Sequence, residues 1–226
     1  MTTFSTFRPE YLPSLSLFWD MVQCDHIVFT DHLQYTKKSS LSTSAPLNGP
    51  DERLRIPVSH HPSKQPICMK IVDDHNNWRK RHLKTLSHTF HHFPYGYYYL
   101  PLLEERYLTY TDNLSDILIS FLAALLSWLH FDSKIHRSSA INSIENVHDF
   151  IAFWHRNLEA DHYLTKQDVF INRWLTETEL EQRRISYVYF DPFPDYHILQ
   201  AYKDMSILHF LMQFGPEAGY LMRQYM

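Results

Sequence analysis

The chain has 226 residues, a formal net charge of -4, and only 4 glycines against 16 histidines. Gly49, Gly96, Gly215 and Gly219 do not form a dinucleotide fingerprint, a phosphate loop or a G-x-S-x-G nucleophile turn. The acidic balance excludes bulk nucleic-acid binding, and 44% apolar with 20% charged residues fits one globular domain rich in Tyr and Phe.

In chain order, Thr3–Arg8 alternates polar and apolar residues and predicts a short strand. Pro9 and Pro13 frame a loop, RPEYLP. Ser14–Gln23 reads as a helix with Leu15, Phe18, Trp19 and Val22 on one face. His26–Asp31 is a β-branched and aromatic run of strand length. The Ser-, Pro- and Asn-rich residues 39–51 are a loop, and Leu54–Val58 and Ile67–Val72 are further strand candidates. From Asn77 the period lengthens: Trp78, Leu83, Leu86 and Phe90 mark a helical face. Asn113 opens a helix that is apolar nearly all round to Leu129, with Asp116 favourable in its first turn. Ile144–Asn157 is a helix with Val147, Ile151 and Trp154 in register, and Ile185–Phe190 is a strand. Asp204 caps a last helix, Met205–Phe214, which Gly215 and Pro216 stop.

This pattern predicts a single α/β domain over residues 1–226. A sheet-containing N-terminal lobe (1–74) precedes a mostly helical remainder (75–226), with the site in the cleft between them. The N-terminus has no charged segment followed by an apolar run, so it does not read as a signal peptide. The most apolar stretch, Ile117 to Leu129, is too short to span a bilayer. Cys24 and Cys68 form no C-x-x-C pair and no disulfide framework. A cytoplasmic protein without membrane insertion is expected.

The histidines invite a metal. His88, His91 and His92 stand at i, i+3, i+4, but no third ligand or H-E-x-x-H pattern accompanies them, and a solvated helix end suits them better. His148, His155 and His162 recur every seven residues, and about 10 Å between helical neighbours is too far for one metal, so they read as a polar face. Neither metal nor cofactor is expected. His82 shares the inward face with Trp78 and Leu86; it is either a hydrogen-bonded core residue or a proton-transfer group, since histidine titrates near neutrality. Asp31 ends a strand, and open α/β sheets bind ligands outside the carboxyl ends of their strands, where a carboxylate can act as general base. Gln34 and Lys37 bring an amide and an ammonium to the same region. Ser138 and Ser139 are candidate hydroxyl groups without an evident neighbouring base, and also suit a cap or loop. The basic run from Trp78, WRKRHLK, fits a solvated helix face.

The order of the blocks says more than any one of them. RPEYLP (Arg8–Pro13), DHLQYTKKS (Asp31–Ser39), RIPVSH (Arg55–His60), WRKRHLKTL (Trp78–Leu86), RSSA from Arg137, FPDY from Phe193 and MSILHFLMQFGPE from Met205 together resemble the successive blocks of the WbqC-like family over essentially the whole chain. That resemblance implies a part in bacterial surface-polysaccharide biosynthesis of the O-antigen (lipopolysaccharide) type: transfer of an amino acid or other acyl group onto an amino sugar. The partners it implies are a small-molecule donor and an amino-sugar acceptor. It places a site at Pro9, Tyr11, Asp31, Gln34 and Lys37, with His82, Ser138 and Ser139 on recurrent positions. Asp31 or His82 would be the base, and Arg8, Tyr11, Gln34, Lys37, Ser138 and Ser139 would bind substrate. The chain departs from the pattern with Arg8 for Gln, Ser16 for Gly, His32 for the second acid of an Asp-Asp pair, SLSTSAPLN for an Asn-Arg pair, and His209 for Asp. A guanidinium in place of a neutral amide changes charge and shape together. The departures imply either a more anionic ligand or a small-ligand-binding protein that has lost the original chemistry.

Overall fold

The computed structural model describes the chain except for residues 37–39, 61, 63, 110, 142–145 and 167–174. Lys37 and Ile144 therefore lie outside the described residues. Five parallel strands form one sheet: β1 (Thr3–Phe7), β2 (His26–Phe29), β3 (Lys134–Arg137), β4 (His162–Thr165) and β5 (Tyr187–Tyr189), in the order β3-β2-β1-β4-β5. The chain lays down three strands toward one edge, then returns to add two on the far side of β1. This is a doubly wound order, and the winding reverses between β1 and β4.

Parallel neighbours need crossovers, and helices supply them. α1 (Leu15–Val22) joins β1 to β2. A long excursion with α2 (Trp78–Phe90), α3 (Gly96–Leu108) and α4 (Leu114–Trp128) joins β2 to β3. α5 (Val147–Asn157) leads to β4 and α6 (Glu177–Gln182) to β5; α7 (His197–Tyr202), α8 (Ile207–Phe214) and α9 (Glu217–Arg223) follow.

Successive strand residues point to opposite faces. Phe7, Ile27, Phe29 and Leu164 join the larger apolar cluster, with Phe18 and Trp19 of α1 and Leu118, Phe121 and Leu125 of α4. Phe4, Val28 and Tyr163 face a second cluster built on Phe150, Ile151 and Trp154 of α5. With helices on both faces, β2 is apolar and buried on both sides from Ile27 to Phe29. The caps are local: Ser14 Oγ accepts from Leu17 N–H at the head of α1, and the Asn113 side chain accepts from Asp116 N–H at the head of α4.

Several expectations need correction. The strands expected at 54–58 and 67–72 do not form. Pro57 removes a ladder donor from the first and Pro66 stands directly before the second, and the segment runs as loop with a 3-10 turn at Ile67–Met69 and single bridges Thr43–Arg55, Val58–Val72 and Ile71–Asn113. Three of the five strands instead come from beyond residue 130. β3 and β4, KIHR and HYLT, are too short and too polar to show a period of two. α3 escapes notice because Pro101 lies inside it. α8 is capped by Ser206, whose hydroxyl accepts from Leu208 N–H, not by Asp204, and Pro216 opens α9 rather than ending helical structure. His162 lies on β4, off the stripe of His148 and His155. All three residues are half-buried, with His148 Nε2, His155 Nε2 and His162 Nδ1 covered. Among the described residues, no three His, Cys, Asp or Glu side chains are placed to hold one metal ion, and no helix is long and apolar enough to cross a membrane. Cys24 and Cys68 are free thiols.

Two of the scarce glycines, Gly96 and Gly219, are required by close backbone approach. Gly219 in α9 lies against the Leu129 carbonyl after α4, where a Cβ would collide with backbone, whereas a Cβ at Gly49 meets open space. Gly219→Ala is expected to lower stability by about 1–3 kcal/mol, read as a lower urea midpoint. Gly49→Ala should stay within about 0.5 kcal/mol of the parent.

Candidate active site

Asp31 lies two residues beyond β2 and is 0% exposed. A buried charge persists only when it is paired and hydrogen-bonded. Arg137 Nε and Ser115 Oγ each donate to its Oδ2 at 2.9 Å, and Ser139 Oγ donates at 2.8 Å. Its Oδ1 accepts from the Ser139 backbone N–H at 2.9 Å and the Ser138 hydroxyl at 3.1 Å. Burial alone would raise the carboxyl pKa; the donors from Ser139, Arg137 and Ser115 outweigh it and hold the group below its ordinary value. The end of β2, the end of β3 and the first turn of α4 thus meet on one carboxylate. Arg137 reaches on to Asp116 Oδ1 at 2.5 Å. Asn113, the cap of α4, donates to the Cys68 carbonyl at 2.7 Å, and Cys68 N–H donates to the Asp31 carbonyl at 2.9 Å. Five donors on two oxygens leave Asp31 little capacity to take a proton. All of its side-chain contacts among the described residues are with protein donors.

His32 follows directly. Its backbone N–H donates to Ser138 Oγ at 3.2 Å, and its Nδ1 stands 2.5 Å from the same oxygen. The ring is half-buried against Phe150, with centroids 4.9 Å apart. Burial lowers its pKa from the ordinary histidine value, against the opposing pull of the Asp31 charge.

A second network lies in the core. His82 Nδ1 is 3.0 Å from Tyr11 Oη, and His82 Nε2 is 3.2 Å from the Arg55 carbonyl. A carbonyl only accepts, so Nε2 carries the ring proton, Nδ1 accepts from Tyr11, and the Tyr107 hydroxyl donates to the Tyr11 oxygen. Trp78 meets His82 edge-on at 5.0 Å, and Phe121 lies against Tyr11 at 5.4 Å and Tyr107 at 4.9 Å. Burial lowers the His82 pKa to about 4 and pushes both tyrosines up. His82 is therefore neutral near pH 7 with both nitrogens engaged, and Tyr11 is 0% exposed. They tie the RPEYLP loop to α2. Both ring nitrogens of His82 and the Tyr11 hydroxyl are thus engaged with protein partners in the core. Between the two networks lies a recess of about 240 Å³, walled by Asp116 and by Trp78, Arg79, Arg106, Tyr107 and Phe121.

Arg8, directly after β1, is exposed and makes no hydrogen bond or ion pair among the described residues. Gln34 is also exposed, its backbone bridged to Pro66. Ser138 and Ser139 start the 3-10 turn Ser138–Ala140 after β3. The structure therefore brings Asp31, Ser138 and Ser139 together and sets Arg8 and Gln34 beyond the ends of β1 and β2. Sequence reasoning missed the roles of His32, Ser115, Asp116 and Arg137. The RSSA block was visible, but with β3 unrecognised nothing set Arg137 beside β2; the register Phe29–Arg137 does so.

Among protein families, the WbqC-like protein family matches the chain over residues 8–220. No curated protein and no solved structure matches it.

Both networks leave a pH signature. The folded pKa of His82, about 4, lies below the unfolded value of about 6.5, so the unfolded chain takes the proton first on acidification. Its contribution is complete above the unfolded value and is lost as pH falls from there toward the folded one, about 3 kcal/mol in all. Urea titrations at successive pH should show this slope in the parent and a flatter one in His82→Gln. Asp31→Asn is expected to cost about 3–5 kcal/mol at pH 7, because Arg137 loses its buried partner.

Proposed function

The chain belongs to the WbqC-like protein family, and from that premise we propose that it is an acyl- or aminoacyltransferase. It acts on the amine of an amino sugar, in the cytoplasm, during biosynthesis of a bacterial surface polysaccharide of the O-antigen type. The observation that carries this reading is the placement of Arg8, of Gln34, and of Asp31 with Ser138 and Ser139, all beyond the carboxyl ends of three neighbouring parallel strands. Ligands of open α/β sheets bind outside those ends, where the winding reverses, and Arg8 leaves β1 at that reversal. Its guanidinium fork suits the phosphate or carboxylate of an anionic substrate. Gln34 and Lys37 supply donors toward the acyl oxygen as negative charge develops there. Asp31 secures the floor of the site by holding Arg137, Ser138 and Ser139. The amine nitrogen attacks the acyl carbon, the leaving group departs with its bonding electrons, and the amine gives up a proton.

A second reading, a binding protein that keeps the cleft without turnover, is favoured by one observation: the side-chain polar atoms of Asp31 and His82 are committed to protein partners. One experiment separates the two. The purified chain is offered a nucleotide-linked amino sugar with an acyl thioester, an acyl adenylate or an aminoacyl-tRNA, and amide formation is followed by mass spectrometry. The transferase reading expects an amide with one donor class, and Arg8→Ala should raise KM for the anionic substrate about tenfold with less effect on kcat. Calorimetric binding of the sugar with no amide from any donor would establish the binding-only reading instead.

A further inference from the structure

We infer that His32 is the proton acceptor of this transfer, its Nε2 left unprotonated by a relay of Asp31 and Ser138 acting as positioning residues. The inference rests on the transferase reading and adds the base that reading requires. It follows from counting protons around one oxygen. Ser138 Oγ has a single proton and three neighbours: Asp31 Oδ1 at 3.1 Å, His32 N–H at 3.2 Å and His32 Nδ1 at 2.5 Å. Asp31 is ionised and can only accept, so the Ser138 proton points to it; turned the other way, a hydroxyl lone pair would face a buried carboxylate. Ser138 Oγ then accepts both the backbone N–H and the ring N–H of His32. Nδ1 therefore carries the ring proton, and Nε2 keeps its lone pair. No described residue hydrogen-bonds Nε2.

A carboxylate that sets the tautomer of an imidazole, leaving the other nitrogen to take a proton, is a proven arrangement for acyl transfer; here a serine hydroxyl is interposed. Phe150 of α5 packs against the ring. The charged groups around it are Asp31 and, through Asp31, Arg137 with Asp116; Phe150 faces it without charge. Burial favours the neutral imidazole, the form that can accept. Rival bases are poorly placed. Asp31 is saturated, His82 is enclosed, and His26 and His136 are hydrogen-bonded to each other at 2.8 Å. As the C–N bond forms, His32 Nε2 takes the amine proton. As the acyl–leaving-group bond breaks, it returns that proton to the departing sulfur or oxygen, so the imidazole ends neutral and no other reactant is needed.

The test uses the full chain and two independent readouts. Nitrogen-15 NMR of the imidazoles at neutral pH should show His32 protonated on Nδ1, and Ser138→Ala should shift it toward the Nε2–H form. In the transfer assay, His32→Asn retains an N–H donor toward Ser138 but has no second nitrogen. It should keep the thermal midpoint and KM of the parent and lose kcat by about 10²-fold or more, with loss of the acid limb of the kcat/KM profile. His32→Asn within threefold of parental kcat, or an Nε2–H tautomer in the parent, overturns the inference and leaves the transferase reading standing. A parent that forms no amide with any donor class removes the transferase reading itself, and the base with it.

Discussion

The carboxylate of Asp31 is the constraint on which the rest of the carboxyl edge depends. A fully buried charge without partners would cost several kcal/mol, so the surrounding chain must converge on it. It draws in the end of β3 through Arg137, Ser138 and Ser139, and the first turn of α4 through Ser115. Cys68 adds the proline-rich loop through the Asp31 main chain. Those contacts outweigh the desolvation that would otherwise protonate it.

The molecule sets a charged network and a neutral one side by side. Donors keep Asp31 ionised; burial keeps His82, Tyr11 and Tyr107 uncharged. Neither titrates near neutrality. Tyr11 of the neutral network belongs to the RPEYLP loop, whose Leu12 adopts a φ of 45°, a region few non-glycine residues enter. Ala45 N–H and Ser206 Oγ hold the Leu12 carbonyl from outside the loop, so surrounding structure maintains that conformation. The loop positions Arg8 at one end and anchors Tyr11 in the core at the other.

The doubly wound order explains why these groups meet at one edge. Parallel strands share a direction, so every loop after a strand emerges on the same side of the sheet. Arg8, Asp31 and Ser138 are far apart in the chain, yet each stands just past a strand end. The recess beside Asp116 is walled by α2, α3 and α4 and touches both networks, through Asp116 and through Tyr107.

What the sequence by itself determined was local. The apolar stripe and Ser14 of α1, the Asn113 cap and apolar body of α4, the alternation of β1 and the dense run of β2 are all set by neighbours within a few residues. The ordered blocks marked the family, and Asp31 stood out as a strand-end carboxylate. Tertiary structure alone decided that Arg137 pairs with Asp31, 106 residues away, and that β3 and β4 are strands at all. It decided that His82 is neutral and enclosed, and which nitrogen of His32 carries the proton. The physical reason is that periodicity records which side chains are buried, not what they are buried against. A pKa or a tautomer depends on the partner atom, and the partner is chosen by how distant strands pair.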